Sequence, residues 1–152
     1  MNALTELQAL MQALGPSTVA IEWLVQESTV SWTIGMVSGH ELGISFCDSP
    51  DRILLSAMIG TPDVSEREAT YTAMLCSNLL YAEERALRVA LTGPEGDLML
   101  ISECTPDEWT AAALEQCILC FSDTLSRFID VVSTEELAPP ANEPAPTHRL
   151  RA

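Results

Sequence analysis

The stretch VSWTIGMVSGHELGISFCDSPDRILLSAMIG, residues 30–60, decides the fold, because apolar and polar residues alternate along it in three runs. A period of two is typical of strands that bury one face. Segments rich in Gly, Ser, Asp and Pro separate the runs and are typical of turns. The stretch therefore predicts an antiparallel meander of three strands. Its apolar positions are Val30, Trp32, Ile34 and Met36, then Leu42, Ile44 and Phe46, then Ile53, Leu55, Ala57 and Ile59.

The segment before the meander, VAIEWLV at residues 19–25, also has an extended pattern, with Ile21, Trp23 and Val25 on one side. It would add a fourth strand, but the pattern leaves the course of residues 17–28 open. Further upstream, residues 2–16 predict an amphipathic helix. Asn2 is its expected N-cap, and Gly15 with Pro16 is its expected stop.

Two helices and a hairpin follow the meander. Residues 64–80 predict a helix that opens with a capping box of Ser65 and Glu68. Apolar runs at 86–91 and 98–103 flank the turn GPEGD and predict a hairpin. A second capping box, Thr105 to Glu108, opens a helix that we expect to end near Val132.

These elements predict an α+β fold in the order α-β-β-β-α-β-β-α, with helices packed on a twisted antiparallel sheet. Residues 1–134 are expected to form one domain. Residues 135–152 are rich in Pro and Ala and have almost nothing to bury, which predicts a disordered tail.

The charge of the chain excludes two classes of partner. Seven basic residues, all arginine, face 22 acidic ones, which gives a net charge of −15. Such a surface repels nucleic acid and anionic lipid. No apolar run reaches the ~20 residues of a membrane helix, and the first ten residues lack the basic region of a secretory signal. We therefore expect a cytoplasmic protein with a protein partner.

Cys117 and Cys120 have the C-x-x-C spacing of thiol oxidoreductases and of many zinc sites. A redox pair sits at a helix N-terminus, whereas these residues are about three turns into the predicted helix. Zinc would need further ligands at ordered spacing, which the five cysteines and two histidines do not supply. Cys117 falls within the apolar stripe of the helix. We therefore expect reduced core cysteines, no metal, no cofactor and no catalytic residue.

The order of elements, together with the acidic charge, resembles the class I effector chaperones of bacterial type III secretion systems, a Tir-chaperone-like family. The resemblance covers roughly residues 2–132. It is carried by LTELQALMQALG at 4–15, DRILLSAMIGTP at 51–62, YTAMLCSNLL at 71–80, and the hairpin and long helix within 93–130. Phe128 departs from it, since relatives often have Trp nearby, and the Pro-rich tail has no counterpart.

The resemblance implies a homodimer without enzymatic activity that binds the N-terminal segment of a secreted effector in extended form. Such a chaperone keeps the effector secretion-competent and delivers it to the export ATPase. The family's dimer contact involves the second helix and the adjoining hairpin. The residues expected there are Tyr71, Met74, Leu75, Leu79, Leu87, Val89 and Leu91.

The effector groove is expected on the first helix and the sheet edge beside it, because the apolar face of that helix is wide. The residues expected to bind the effector are Leu4, Leu7, Leu10, Met11, Met36, Leu42 and Ile44. Two alternatives stay open. One is a regulatory protein of the same fold that sequesters a secretion regulator, and the other is an enzyme that uses the thiols.

Overall fold

The computed structural model describes residues 2–80, 87–94, 96–105 and 110–133. Its helices are α1 (Ala3–Ser17), α2 (Arg67–Leu80) and α3 (Ala111–Ser133). Its strands are β1 (Ile21–Ser28), β2 (Ser31–Met36), β3 (Glu41–Cys47), β4 (Arg52–Gly60), β5 (Arg88–Leu91) and β6 (Leu98–Cys104). The strands form one antiparallel sheet in the order β1-β2-β3-β4-β6-β5, which confirms the α+β class.

The meander has four strands rather than three, because residues 21–28 form β1 and pair with β2. The predicted common face of Ile21, Trp23 and Val25 is wrong. A bulge after Ile21 shifts the register, so that Ile21 is opposite Met36 whereas Trp23 is opposite Gly35. Ile21 and Trp23 therefore lie on opposite faces of the sheet.

The core lies between one face of the sheet and the helices α1 and α3. Helix α1 contacts α3 and β1, and α3 contacts β4 and β6. Every apolar position of the three predicted strand runs is buried there except two: Phe46 is half-buried, and Val30 lies in the β1–β2 turn and is 38% exposed. The helices contribute Leu7, Met11, Leu14, Leu114, Ile118, Phe121, Leu125 and Phe128.

The ends of α1 and α2 differ from the predictions. Helix α1 continues to Ser17, and the Thr18 N–H donates to the Leu14 carbonyl at 3.1 Å. Helix α2 begins at Arg67, and Asp63 organises its entry instead of the predicted capping box. The Asp63 carboxylate accepts the Ser65 N–H at 3.0 Å and the Ser65 hydroxyl at 2.9 Å. These hydrogen bonds, the backbone one foremost, lower the pKa of Asp63.

Helix α3 begins at Ala111, where Thr110 Oγ1 accepts the Ala113 N–H at 3.2 Å. The capping box predicted at Thr105 involves residues 106–109, which lie outside the described residues, as does the predicted tail at 135–152. The helix extends to Ser133, one residue beyond the predicted end.

Candidate interaction surfaces

The described part of the chain holds no group of three or more His, Cys, Asp or Glu residues positioned to bind a metal ion. His40 lies in the β2–β3 turn, where its Nδ1 is 3.2 Å from the Ser38 hydroxyl; His148 lies outside the described residues. None of the described helices is long and apolar enough to cross a membrane. Two surfaces of the described residues have exposed apolar side chains, and they lie at the two ends of the sheet.

One end carries an exposed apolar surface, which we call the α2–β5 patch: Leu75, Leu79, Leu80 and Leu91. These side chains are 69%, 80%, 77% and 42% exposed. Leu75 and Leu79 are one turn apart on α2, Leu80 is the last residue of that helix, and Leu91 ends β5. Clustered exposed leucines of this kind mark an interaction surface in a soluble protein.

The patch rests on a rigid base. Met74 and Val89 are buried beneath it, and a cavity of about 160 Å³ lies between α2 and β5. The Tyr71 hydroxyl donates to the Gly96 carbonyl at 3.0 Å, which ties α2 to the β5–β6 turn. These contacts set the position of α2, which carries the exposed leucines, on the sheet.

Asn78 closes the outer edge of β5. Its Oδ1 accepts the Val89 N–H at 2.6 Å, and its Nδ2 donates to the Val89 carbonyl at 3.0 Å. The side-chain amide thus takes the place that a neighbouring strand would occupy. At Val89, a partner would therefore meet the Asn78 side chain rather than free backbone groups.

The structure brings the residues of the predicted dimer contact together but at different depths. Leu75, Leu79 and Leu91 are exposed, whereas Tyr71 and Leu87 are half-buried. Met74 and Val89 support them from below. Leu80 was missed by the sequence reasoning, although its place next to Leu79 at the end of an apolar run was a usable signal. Dimerisation itself stays a prediction.

At the other end of the sheet, β1 has no strand on its outer side among the described residues. Trp23 and Val25 are 39% and 48% exposed on the face opposite the core. Trp23 lies against Gly35, where an added Cβ would collide with the indole ring, so glycine makes room for Trp23. Sequence reasoning missed this surface because the bulge hides which way Trp23 points.

Five residues of the predicted effector groove lie in the core: Leu7, Met11, Met36, Leu42 and Ile44. The physical reason is that α1 packs against both the sheet and α3, so that its apolar stripe is covered from two sides. Leu4 and Leu10 are half-buried and keep surface that a partner can reach. A groove beside α1 stays a prediction, and in this fold it would use Leu4 and Leu10.

Comparison with solved structures places the fold among chaperone complexes. A chain from the HopA1–SchA chaperone–effector complex is similar with a TM-score of 0.66 and 12% identity, over 84% of this chain and 96% of that one. A chain from the ExsC–ExsE complex is similar with a TM-score of 0.66 and 13% identity, over 87% and 97%. At such low identity these likenesses show the fold alone.

No curated protein matches the chain in sequence. The model of one protein family, however, matches residues 36–128, which is more than half of the chain. The matched region runs from the end of β2 through β5 and β6 into α3, and so includes the α2–β5 patch. The chain therefore belongs to the Tir chaperone protein (CesT) family.

Proposed function

We propose that this protein is a cytoplasmic type III secretion chaperone that binds the N-terminal segment of a secreted effector in extended form and has no enzymatic activity. The observation that carries the proposal is the membership of the chaperone family. The physical support is an open strand edge at β1 with exposed apolar side chains beside it.

The edge of β1 suits an extended partner. A segment paired with β1 would direct alternate side chains to the two faces of the sheet. On one face these side chains would meet Trp23 and Val25, and on the other face lies α1, whose half-buried side chains include Leu4 and Leu10. Backbone pairing would supply affinity and the apolar contacts would supply selectivity.

The α2–β5 patch is proposed as the contact between two copies of the chain. A two-fold interface uses the same surface on both subunits and therefore needs a self-complementary, largely apolar patch. Leu75, Leu79 and Leu91 fit this description, and a negatively charged chain gains little from charge pairing with its own copy. Delivery of the effector to the export ATPase would follow from the chaperone role.

The first test is co-purification from the native cells, followed by mass spectrometry to identify the partner. The second test is calorimetry with the N-terminal segment of that partner. We expect a secreted effector, bound through that segment. A transcription or secretion regulator would instead identify the same fold acting as a sequestering protein. Loss of function in single Cys→Ser variants would point to the thiol-dependent enzyme and contradict the proposal.

A further inference from the structure

Two cysteines, Cys104 and Cys117, touch each other. The Sγ atoms of Cys104 and Cys117 are 2.7 Å apart, although both residues are in the thiol form. A disulfide needs about 2.05 Å between the sulfurs, so only a small approach separates the contact from a bond. Both side chains are half-buried and pack against the core.

The contact is held by rigid elements. Cys104 ends β6 and is paired with Ile53 of β4, which is fully buried. Cys117 lies in α3 between Leu114 and Ile118, each 1% exposed. The packing of α3 on the sheet therefore sets the sulfurs side by side.

The C-x-x-C partner of Cys117 is a poorer match. Residues three apart on a helix have Cβ atoms about 5–6 Å apart, whereas a disulfide needs about 3.5–4.5 Å. The Sγ of Cys120 instead accepts the Gln116 Nε2 donor at 3.1 Å. Of the two cysteines in the C-x-x-C motif, only Cys117 belongs to the close pair, and its partner there is Cys104.

Small oxidants can reach the pair. A cavity of about 610 Å³ opens between β6 and α3, and Cys104, Cys117 and Cys120 all line it. Polar side chains share its wall, among them Gln116, Thr124 and Arg127. The thiols are therefore accessible without unfolding.

We propose that Cys104 and Cys117 are a site of reversible oxidation that forms an intramolecular disulfide in the folded protein when a peroxide is present. One thiolate attacks the peroxide, whose O–O bond breaks; the sulfur becomes a sulfenic acid and the other oxygen leaves as an alcohol or as water. The second thiol then attacks the sulfenic sulfur, the S–S bond forms and water leaves. The two thiols lose two electrons and two protons, and a dithiol reverses the change.

The test uses the full chain with Cys47→Ser and Cys76→Ser, so that thiols outside the cavity do not contribute. After peroxide treatment, free thiols are blocked with N-ethylmaleimide and the protein is digested without reductant. We expect a linked peptide pair containing Cys104 and Cys117, a mass lower by two hydrogen atoms, and full reversal by dithiothreitol. The melting temperature should rise by about 5–10 °C, because the bond closes a short loop in the unfolded chain.

Two variants of this protein serve as matched controls. Cys120→Ser should leave the linked pair intact, whereas Cys117→Ser should abolish it. A link between Cys117 and Cys120 would overturn the proposal. The proposal would also be overturned if Cys104 and Cys117 were fully alkylated after a peroxide treatment that oxidises Cys120. This measurement keeps both cysteines and therefore does not depend on whether a Cys117 variant folds.

Discussion

The two edge strands of the sheet, β5 and β1, differ in how their outward-facing backbone groups are covered. At the β5 end, Asn78 hydrogen-bonds both polar groups of Val89, and four exposed leucines surround the closed edge. At the β1 end, the described residues place no strand on the outer side, and the exposed apolar side chains are Trp23 and Val25.

The two edges of the sheet therefore suit two different kinds of partner. A closed edge with an apolar rim binds a folded surface through side-chain burial. An open edge binds an extended segment through backbone pairing. The proposed dimer contact and the proposed site for the partner segment therefore lie at separate ends of the sheet.

The largest expected effect is at the closed end. Leu75→Asp should weaken dimerisation on the order of 100-fold or more, because a two-fold interface contains the change twice. Analytical ultracentrifugation and light scattering give the result. Val37→Asp is the matched control, since Val37 is 66% exposed in the β2–β3 turn, on the side of the sheet away from the α2–β5 patch. A wild-type protein that is monomeric at micromolar concentration would contradict the proposed interface.

The next effect is at the open end. Leu10→Ser should weaken binding of the partner segment roughly 10-fold through lost apolar burial, with the dimer intact. Glu22→Lys, on exposed β1, is the control and should change affinity little. Calorimetry at low and high salt separates the two contributions. The groove is wrong if high salt abolishes binding while Leu10→Ser binds normally.

Leu7, which was also predicted to contact the effector, is not a suitable position for testing partner affinity. Its side chain is 0% exposed, so Leu7→Ser should lower the free energy of unfolding by about 2–5 kcal/mol. Denaturant titration would show the loss. Any change in partner affinity in this variant would follow from a damaged fold.

A smaller effect is expected from the cap of β5. Asn78→Ala should lower the free energy of unfolding by about 1–3 kcal/mol, because it leaves the Val89 N–H and carbonyl without their partner. Hydrogen exchange at Val89 should become faster. Ser77→Ala is the control, since its hydroxyl bonds the Met74 carbonyl within the same helix. Equal exchange in both variants would show that Asn78 does not close the edge.

The smallest effect is expected from the tail. Removal of residues 138–152 should leave the melting temperature, dimerisation and partner affinity unchanged, because the tail has several prolines and no apolar periodicity. Differential scanning fluorimetry and light scattering check this. A drop of several degrees would show that the tail packs on the domain.

The middle of the fold could be predicted because its signals are local. From Ile53 to Ile59 every second residue faces the core, as the alternation indicates. The β5–β6 hairpin likewise follows from two apolar runs around a turn. In both cases the sequence pattern and the burial pattern have the same period.

The structure at the ends of the sheet could not be predicted because it depends on a bulge and on contacts between residues far apart in the sequence. One extra residue at the bulge reverses the direction of Trp23, and nothing in VAIEWLV marks that position. The burial of Leu7 and Met11 depends on α3, which lies about a hundred residues later in the chain. The contact of Cys104 with Cys117 depends in the same way on how α3 meets the sheet.

The position of Trp23 against Gly35 gives the molecule a built-in optical reporter. Trp32 is 3% exposed and should fluoresce at short wavelength whatever binds, whereas Trp23 is 39% exposed at the open edge. A segment added to β1 would shield the indole, shift its emission to the blue and protect it from acrylamide. Association through α2 would leave that emission unchanged. With Trp109 replaced by Phe, one fluorescence titration can therefore tell which end of the sheet a ligand occupies.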